Sequence, residues 1–158
     1  MASSNRKIHV IGINSYNLDD LSLNLKNLII NAKNIAIPKS YFDKILIWFE
    51  KQSKNNKFFH KSDSNFELID WLKKCNEDSV LITRGDPLWF GIGRILLENF
   101  EKDELNFYPS NTCVQLACNR LKIPWQEIKF LSIHGRDTDQ LVKALKLKTS
   151  SLAIITDS

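Results

Sequence analysis

This sequence of 158 residues contains a Gly-Asp-Pro corner whose residues could bind a ligand. An apolar run, residues 80–83, leads into Gly85-Asp86-Pro87, and an aromatic pair and two more glycines follow. Gly85 allows a ligand to approach the backbone closely, and Pro87 prevents the strand from continuing. The carboxylate of Asp86 then lies where a cation or a set of hydroxyl groups could meet it. Ligands of open α/β sheets bind beside such strand-end loops, so the pattern predicts a ligand site.

Two nucleotide-binding motifs are not matched. The glycines at 91 and 93 invite a phosphate-loop interpretation, but no Gly-Lys-Ser/Thr follows them. The loop that begins at Gly12-Ile13-Asn14-Ser15-Tyr16 lacks two of the glycines of a dinucleotide fingerprint. Taken alone, the Gly-Asp-Pro corner is as compatible with a simple turn as with a ligand site.

Composition narrows the class of protein. Hydrophobic residues make up 43% and charged residues 25%, as in ordinary globular domains. The net charge of +4 is too small to indicate nucleic acid, but it suits an anionic small molecule. The three cysteines and three histidines show no metal-ligand spacing, so no metal site is expected. No apolar run is long enough to span a membrane and no signal peptide is visible, which predicts a cytoplasmic protein without membrane or nucleic-acid partners.

The elements that must position the corner alternate along the chain. Apolar, β-branched runs predict strands, and apolar residues at helical spacing predict the helices between them. The helix after the corner is predicted from about Trp89 to Glu101. The fold class predicted is α/β, a mainly parallel sheet with helices on both faces. Right-handed crossovers place all strand-to-helix loops at one edge, so four loops are expected to converge: those at Asn14-Ser15, Arg84-Gly85-Asp86, Ser110-Asn111-Thr112 and Thr156-Asp157.

The pattern also predicts where domains begin and end. Residues 1–127 are expected to form an N-terminal α/β domain. Residues 128–158 are expected to form the first strand-helix-strand of a second α/β domain. The sequence stops directly after an apolar strand, where a loop and a helix should follow. We therefore expect a truncated second domain.

Five stretches together resemble one enzyme family. The sequence is similar to the tetrapyrrole methylases, and more narrowly to their precorrin-6Y or cobalt-precorrin C5-methyltransferase branch. The Gly-Asp-Pro corner is shared across that superfamily. Three other stretches indicate the precorrin branch: the extension of the corner at Phe90–Arg94, the Pro-Trp connector at 124–125 and the His-Gly-Arg stretch at 134–136. The stretches, in chain order, are residues 10–13, 85–94, 109–117 with 123–125, 132–136 and 152–157.

The resemblance implies a cofactor and a set of site residues. S-adenosylmethionine (SAM) would lie in a cleft between two α/β domains, and no catalytic triad or metal is implied. The corner would line one wall of the cofactor pocket, and the loop after the fifth strand would line a second wall. The first loop and the second domain would complete the pocket. The implied cofactor-binding residues are Ser15, Arg84, Gly85, Asp86, Trp89, Thr112, Cys113 and Asp157.

The implied substrate is an anionic tetrapyrrole. Its carboxylates would suit bidentate contacts with arginine, and the implied substrate-binding residues are Asn14, Tyr16 and Arg136. The general base is not identified, and the resemblance leaves a homodimer open.

The sequence departs from the family pattern at the proposed site. The family usually has Gly-Ile-Gly-Pro-Gly in the first loop, where this chain has Asn14, Ser15 and Tyr16. Asn14 tolerates a left-handed backbone, so the turn can still form. Tyr16 is bulky where a glycine leaves room for substrate, and Arg84 stands where a small Ser or Gly is usual. Both changes are expected either to alter the fit of the substrate or to weaken activity.

Three functional hypotheses remain open. The first is a SAM-dependent C-methyltransferase of corrin biosynthesis that acts at C5. The second is a superfamily relative that methylates RNA or protein. The third is a truncated, non-catalytic remnant that serves as a binding or dimerisation module. Because one wall of the cleft would be missing, we expect these 158 residues to bind SAM weakly or not at all.

Overall fold

The structure is a computed structural model that describes residues 6–52, 56–61, 63–133, 137–147 and 150–156. The chain divides into two compact units, with the boundary between Thr112 and Cys113. We refer to them as unit 1 and unit 2. The division of the sequence into domains 1–127 and 128–158 stays a proposal.

Unit 1 is built on a five-stranded sheet in which every neighbouring pair of strands is parallel. The strand order is β3-β2-β4-β1-β5. The prediction of a mainly parallel sheet is confirmed. The strands are β1 (Ile8–Ile13), β2 (Asn34–Ile37), β3 (Phe58–Lys61), β4 (Ser79–Arg84) and β5 (Leu105–Tyr108).

Helices cover both faces of this sheet. The order of the strands requires the first two crossovers to run in one direction and the next two in the other. Right-handed crossovers then place α1 and α2 on one face and α3 and α4 on the opposite face. The two buried clusters agree, since one contains Ile29, Ile45 and Phe49 and the other Leu72 and Leu96. The helices are α1 (Leu23–Asn31), α2 (Lys39–Lys51), α3 (Asn65–Lys74) and α4 (Gly93–Asn99).

Local sequence explains why these elements form. The interior strand β1 is almost continuously apolar and buried, as expected for a parallel strand covered on both faces. Ser22 accepts a hydrogen bond from the backbone N–H of Leu25 at 3.4 Å, and Ser64 accepts one from Glu67 at 3.3 Å. Each serine therefore caps the first turn of a helix, α1 and α3 respectively.

The helix after the Gly-Asp-Pro corner begins later than predicted. The sequence suggested a helix from about Trp89, whereas α4 begins at Gly93. Phe90 has a φ of 50°, in the left-handed region, which interrupts any helix there. The N–H of Gly93 donates to the carbonyl oxygen of Pro87 at 2.8 Å, so these residues form a compact loop instead.

Unit 2 contains a two-stranded parallel sheet. Its elements are α5 (Cys113–Leu121), β6 (Lys129–Ser132), α6 (Asp139–Lys146) and β7 (Leu152–Ile155). The strands β6 and β7 pair in parallel on either side of α6 in the sequence, which is the strand-helix-strand that the pattern predicted. Within the described ranges, no helix of either unit is long and apolar enough to cross a membrane.

Candidate ligand site at the carboxyl edge of the sheet

Three of the predicted loops converge at the carboxyl edge of the unit 1 sheet. The backbone N–H of Gly85 donates to the carbonyl oxygen of Ile13 at 2.9 Å, which joins the ends of β4 and β1. A Cβ atom at Gly12 would collide with the carbonyl oxygen of Gly85 and would lie 3.1 Å from Pro87 Cδ and 3.1 Å from Ser110 Cβ. The loops after β1, β4 and β5 therefore pack against one another around a position that only glycine can occupy.

The edge is also a topological switch point. The loop after β4 leads to one face of the sheet, whereas the loops after β1 and β2, its neighbours, lead to the other face. Such a divergence opens a crevice beyond the strand ends, where ligands of open α/β sheets bind. The corner at Gly85 lies in that crevice.

Gly85 is a glycine for its backbone conformation. Its φ is +64°, and a Cβ atom there would have only the carbonyl oxygen of Asn111 within contact range, at 3.8 Å. The left-handed conformation thus turns the chain sharply and leaves open space beside the backbone. A flat or extended ligand could approach these peptide groups directly.

The carboxylate of Asp86 has a structural use. The Oδ1 atom of Asp86 accepts a hydrogen bond from the backbone N–H of Leu88 at 2.8 Å. The backbone carbonyl oxygen of Asp86 accepts one from the N–H of Trp89 at 3.3 Å. Side chains of aspartate commonly stabilise turns in this way. Asp86 is half-buried, so a ligand would meet its other carboxylate oxygen or its backbone.

The first loop is formed without glycine beyond Gly12. Asn14 is exposed and does not have a positive φ, so the turn does not use the left-handed conformation that asparagine tolerates. The hydroxyl of Ser15 accepts a hydrogen bond from the N–H of Asn17 at 3.0 Å. Tyr16 is 45% exposed and directs its ring toward α2.

Two cations and two tyrosines meet beside these loops. The rings of Tyr16 and Tyr41 pack edge to face with centroids 5.6 Å apart. Lys44 Nζ lies 3.7 Å from the centre of the Tyr16 ring, and Arg84 Cζ lies 5.9 Å from the centre of the Tyr41 ring. We refer to Tyr16, Tyr41, Lys44 and Arg84 as the cation–tyrosine cluster. Sequence reasoning missed Tyr41 and Lys44, although both follow β2, whose end lies beside that of β4.

The remaining predicted residues belong to either unit or lie outside the described residues. Thr112 is buried at the end of unit 1, and Cys113 is the exposed first residue of α5 in unit 2. Arg136 and Asp157 lie outside the described residues. The structure therefore brings together Asn14, Ser15, Tyr16, Arg84, Gly85, Asp86, Trp89 and Thr112 on the loops of unit 1.

The groups with shifted pKa values lie on strands, away from the corner. Burial lowers the pKa of His9, an effect that Asp78 opposes and Lys7 reinforces. Burial also raises the pKa of Tyr108, whose hydroxyl lies 2.9 Å from His9 Nδ1. Among the described residues, no three His, Cys, Asp or Glu side chains are placed to hold a metal ion.

The sequence matches a known family over almost its whole length. Residues 7–158 match the family described as Tetrapyrrole (Corrin/Porphyrin) Methylases. The chain is 33% identical over 72 residues to a precorrin-6Y C(5,15)-methyltransferase (decarboxylating) of Sinorhizobium sp., covering 46% of this chain and 17% of that protein. It is 29% identical over 94 residues to a cobalt-precorrin-7 C(5)-methyltransferase of Salmonella typhimurium, and the match covers 58% of this chain and 44% of that protein. The matched regions thus span less than half the length of these curated relatives.

Solved structures share the fold. A cobalamin biosynthesis precorrin-6Y methylase from Archaeoglobus fulgidus superposes with a TM-score of 0.66 and 23% identity, covering 98% of this chain and 74% of that one. A diphthine synthase superposes with a TM-score of 0.68 and 14% identity, covering 96% and 64%. At these identities the likeness shows the fold alone, and the fold is common to enzymes with different substrates.

Proposed function

The chain belongs to the tetrapyrrole (corrin/porphyrin) methylase family, and from that premise we propose that it is a SAM-dependent C-methyltransferase of corrin (cobalamin) biosynthesis. Its proposed substrate is precorrin-6Y or a cobalt-precorrin, methylated at C5. The curated relatives named for C5 methylation support this choice of branch. The family resemblance of the Phe90–Arg94 extension supports it too.

One observation carries the proposal of a SAM site. The backbone of Gly85 lies in open space at the switch point, and three loops pack closely behind it. SAM has a cationic sulfur and an amino group that suit carbonyl oxygens and a carboxylate, and Asp86 and the neighbouring peptide groups offer both. The residues present therefore fit the cofactor. The proposed binding residues of unit 1 remain Ser15, Arg84, Gly85, Asp86, Trp89 and Thr112, and the roles of Cys113 and Asp157 stay predictions from the family resemblance.

The chemistry asks little of the protein beyond positioning. SAM supplies a methyl group on a positively charged sulfur, and an electron-rich tetrapyrrole carbon accepts it. The loops would hold the two reactants in line, and such orientation can account for a large part of a rate enhancement. Gly85 would admit the cofactor against the backbone, and the indole of Trp89 would shield one side from water.

Binding of SAM tests this proposal directly. We would titrate the 15N-labelled chain with SAM and follow backbone and indole resonances, which detect weak as well as tight binding. Of the two outcomes expected from the sequence, weak binding or none, the open space beside Gly85 favours weak binding. We therefore expect shifts at Ser15, Gly85 and Trp89, and their loss in Gly85→Ala, whose methyl group would project into that space. Shifts confined to the amino edge of the sheet, or no shifts at millimolar SAM, would contradict a SAM site and would favour the non-catalytic remnant.

The substrate and the position of methylation need a separate experiment. Methyl transfer from labelled SAM would be compared for precorrin-6Y, a cobalt-precorrin, ribosomal RNA and a protein substrate. We expect label only in a tetrapyrrole, at C5 by carbon NMR of the product. Label in RNA or protein would select the superfamily relative instead.

A further inference from the structure

We propose that the cation–tyrosine cluster is a carboxylate-recognition surface that selects a substrate with free carboxylate side chains at the ring periphery. This inference rests on the proposed function, because it assigns a specificity role to residues beside the same site. It adds Tyr41 and Lys44, on α2, to the residues that meet the substrate. It also assigns one role to two separate departures from the family pattern, Tyr16 and Arg84.

The two departures are physically joined. Tyr16 belongs to the loop after β1 and Arg84 is the last residue of β4, and both contact Tyr41. Lys44 lies one helical turn after Tyr41 and covers the other tyrosine ring. A bulky ring in place of a glycine and a cation in place of a small residue therefore change one continuous surface.

The charges of the cluster are not neutralised by the protein. Some other cations of unit 1 have carboxylate partners, as in the pairs Lys33–Glu77 at 2.8 Å and Lys61–Asp43 at 3.2 Å. Over the described residues, Lys44 and Arg84 form no ion pair, and both side chains are exposed at the rim of the crevice. Their contacts are with aromatic rings, which orient a cation without cancelling its charge.

The chemistry of this surface matches carboxylates attached to a flat ring. Arg84 offers a planar fork of donors that binds a carboxylate bidentately, and Lys44 offers a second positive charge. Tyr16 and Tyr41 add hydroxyl groups and aromatic area between the two cations. A ligand whose carboxylates are converted to neutral amides keeps the ring and the shape but loses the partners of both cations.

Two corrins differ in this one respect and serve as probes. Dicyanocobyrinic acid carries free carboxylates, and its fully amidated form carries primary amides at the same positions of the same ring. Cyanide on both faces of the cobalt prevents binding through histidine. Affinities would be measured by isothermal titration calorimetry at low and at raised salt. We expect the wild-type chain to prefer the carboxylate form, and raised salt to reduce that preference.

Matched variants separate recognition from general charge. We expect Lys44→Gln and Arg84→Ser each to weaken binding of the carboxylate form about threefold, as is typical of exposed charge contacts, and the double variant about tenfold. Binding of the amide form should not change. Lys51→Gln removes an exposed lysine at the end of the same helix and should leave both affinities unchanged. Thermal unfolding would verify that each variant is folded.

The outcomes are distinct. Equal wild-type affinity for the two corrins, or an equal effect of Lys51→Gln and Lys44→Gln, would overturn the cluster as a recognition surface. The SAM titration of wild type and Lys44→Gln reports on the proposed function separately. If the wild type does not bind SAM, the proposed function is contradicted. If it binds SAM but does not prefer the corrin with carboxylates, only the role of the cation–tyrosine cluster is contradicted.

Discussion

The two edges of the unit 1 sheet use their cations in different ways. At the amino edge, Arg6 Nη1 donates to the carbonyl oxygens of Leu72, at 2.8 Å, and Cys75, which end α3. Lys57 Nζ donates to two carbonyl oxygens at the end of α1, at 2.8 and 2.7 Å. At the carboxyl edge, Lys44 and Arg84 lie over tyrosine rings.

The difference separates cations that satisfy helix ends from cations that contact aromatic rings. Carbonyl groups at the last turn of a helix have no partner within the helix, and cations there satisfy them and suit the helix dipole. The amino edge also holds a cavity of about 330 Å³, but two of its lining residues, Lys33 and Glu77, already pair with each other. We conclude that the carboxyl edge, where Lys44 and Arg84 have no carboxylate partner among the described residues, is suited to an anionic ligand.

The largest effect is expected from Gly12→Ala. The added methyl group would collide with the carbonyl oxygen of Gly85 and crowd Pro87 and Ser110, so the three loops could not close. We expect the free energy of unfolding to fall by about 3 kcal/mol, at the upper end of overpacking costs. Chemical denaturation measures this change.

Gly85→Ala is the matched control for that prediction. A Cβ atom there has room, and only the left-handed backbone is penalised, at about 1 kcal/mol. If both variants lose the same stability, the loops are not packed around Gly12 and the carboxyl edge is looser than described.

A smaller effect is expected at the amino edge, from Arg6→Met. The Arg6 side chain is only 12% exposed, and methionine would fill its place but leave two helix-end carbonyl groups without their donor. We expect a loss of about 2 kcal/mol in unfolding free energy, as for hydrogen bonds to a charged group. Binding of SAM, measured by the same titration, should not change.

Lys33→Gln is the control at that edge, because the Lys33–Glu77 pair is exposed and should contribute less than about 1 kcal/mol. Loss of SAM binding in Arg6→Met at a temperature where the variant is folded would break the contrast between the two edges.

The smallest effect concerns pH and the interior of the sheet. Burial lowers the pKa of His9 below its ordinary value of 6.5, so folding favours the neutral imidazole. The unfolded chain then takes up a proton that the folded chain resists, and stability falls as the pH falls below 6.5. Burial lowers the pKa of His60 in the same sense.

His9→Gln keeps a hydrogen-bonding group opposite Tyr108 but removes the titration. We expect the free energy of unfolding to fall less between pH 7 and pH 5 in this variant than in the wild type. His60→Gln should reduce the fall independently. An unchanged pH dependence in both variants would show that neither imidazole resists protonation in the folded state.

Much of this organisation could be predicted from the sequence. Apolar runs such as Ile8–Ile13 and the helical spacing between them indicated a parallel sheet, and parallel crossovers required the loops at Ser15, Gly85 and Ser110 to share one edge. Both inferences depend on the periodicity of apolar residues and on the right-handedness of crossovers, and both can be assessed from residues that are close in the sequence. The family itself was evident from five short stretches taken together, one of which contains the Gly-Asp-Pro corner.

Only the tertiary structure decided what surrounds that corner. The order β3-β2-β4-β1-β5 places the start of α2 beside the end of β4, and so brings Tyr41 and Lys44 to Tyr16 and Arg84. Contacts within loop 85–93 make α4 begin at Gly93, although the helical pattern of the sequence begins at about Trp89. Local periodicity does not specify which distant residues meet. That depends on the strand order and on side-chain packing, which also decided which of the described cations form ion pairs.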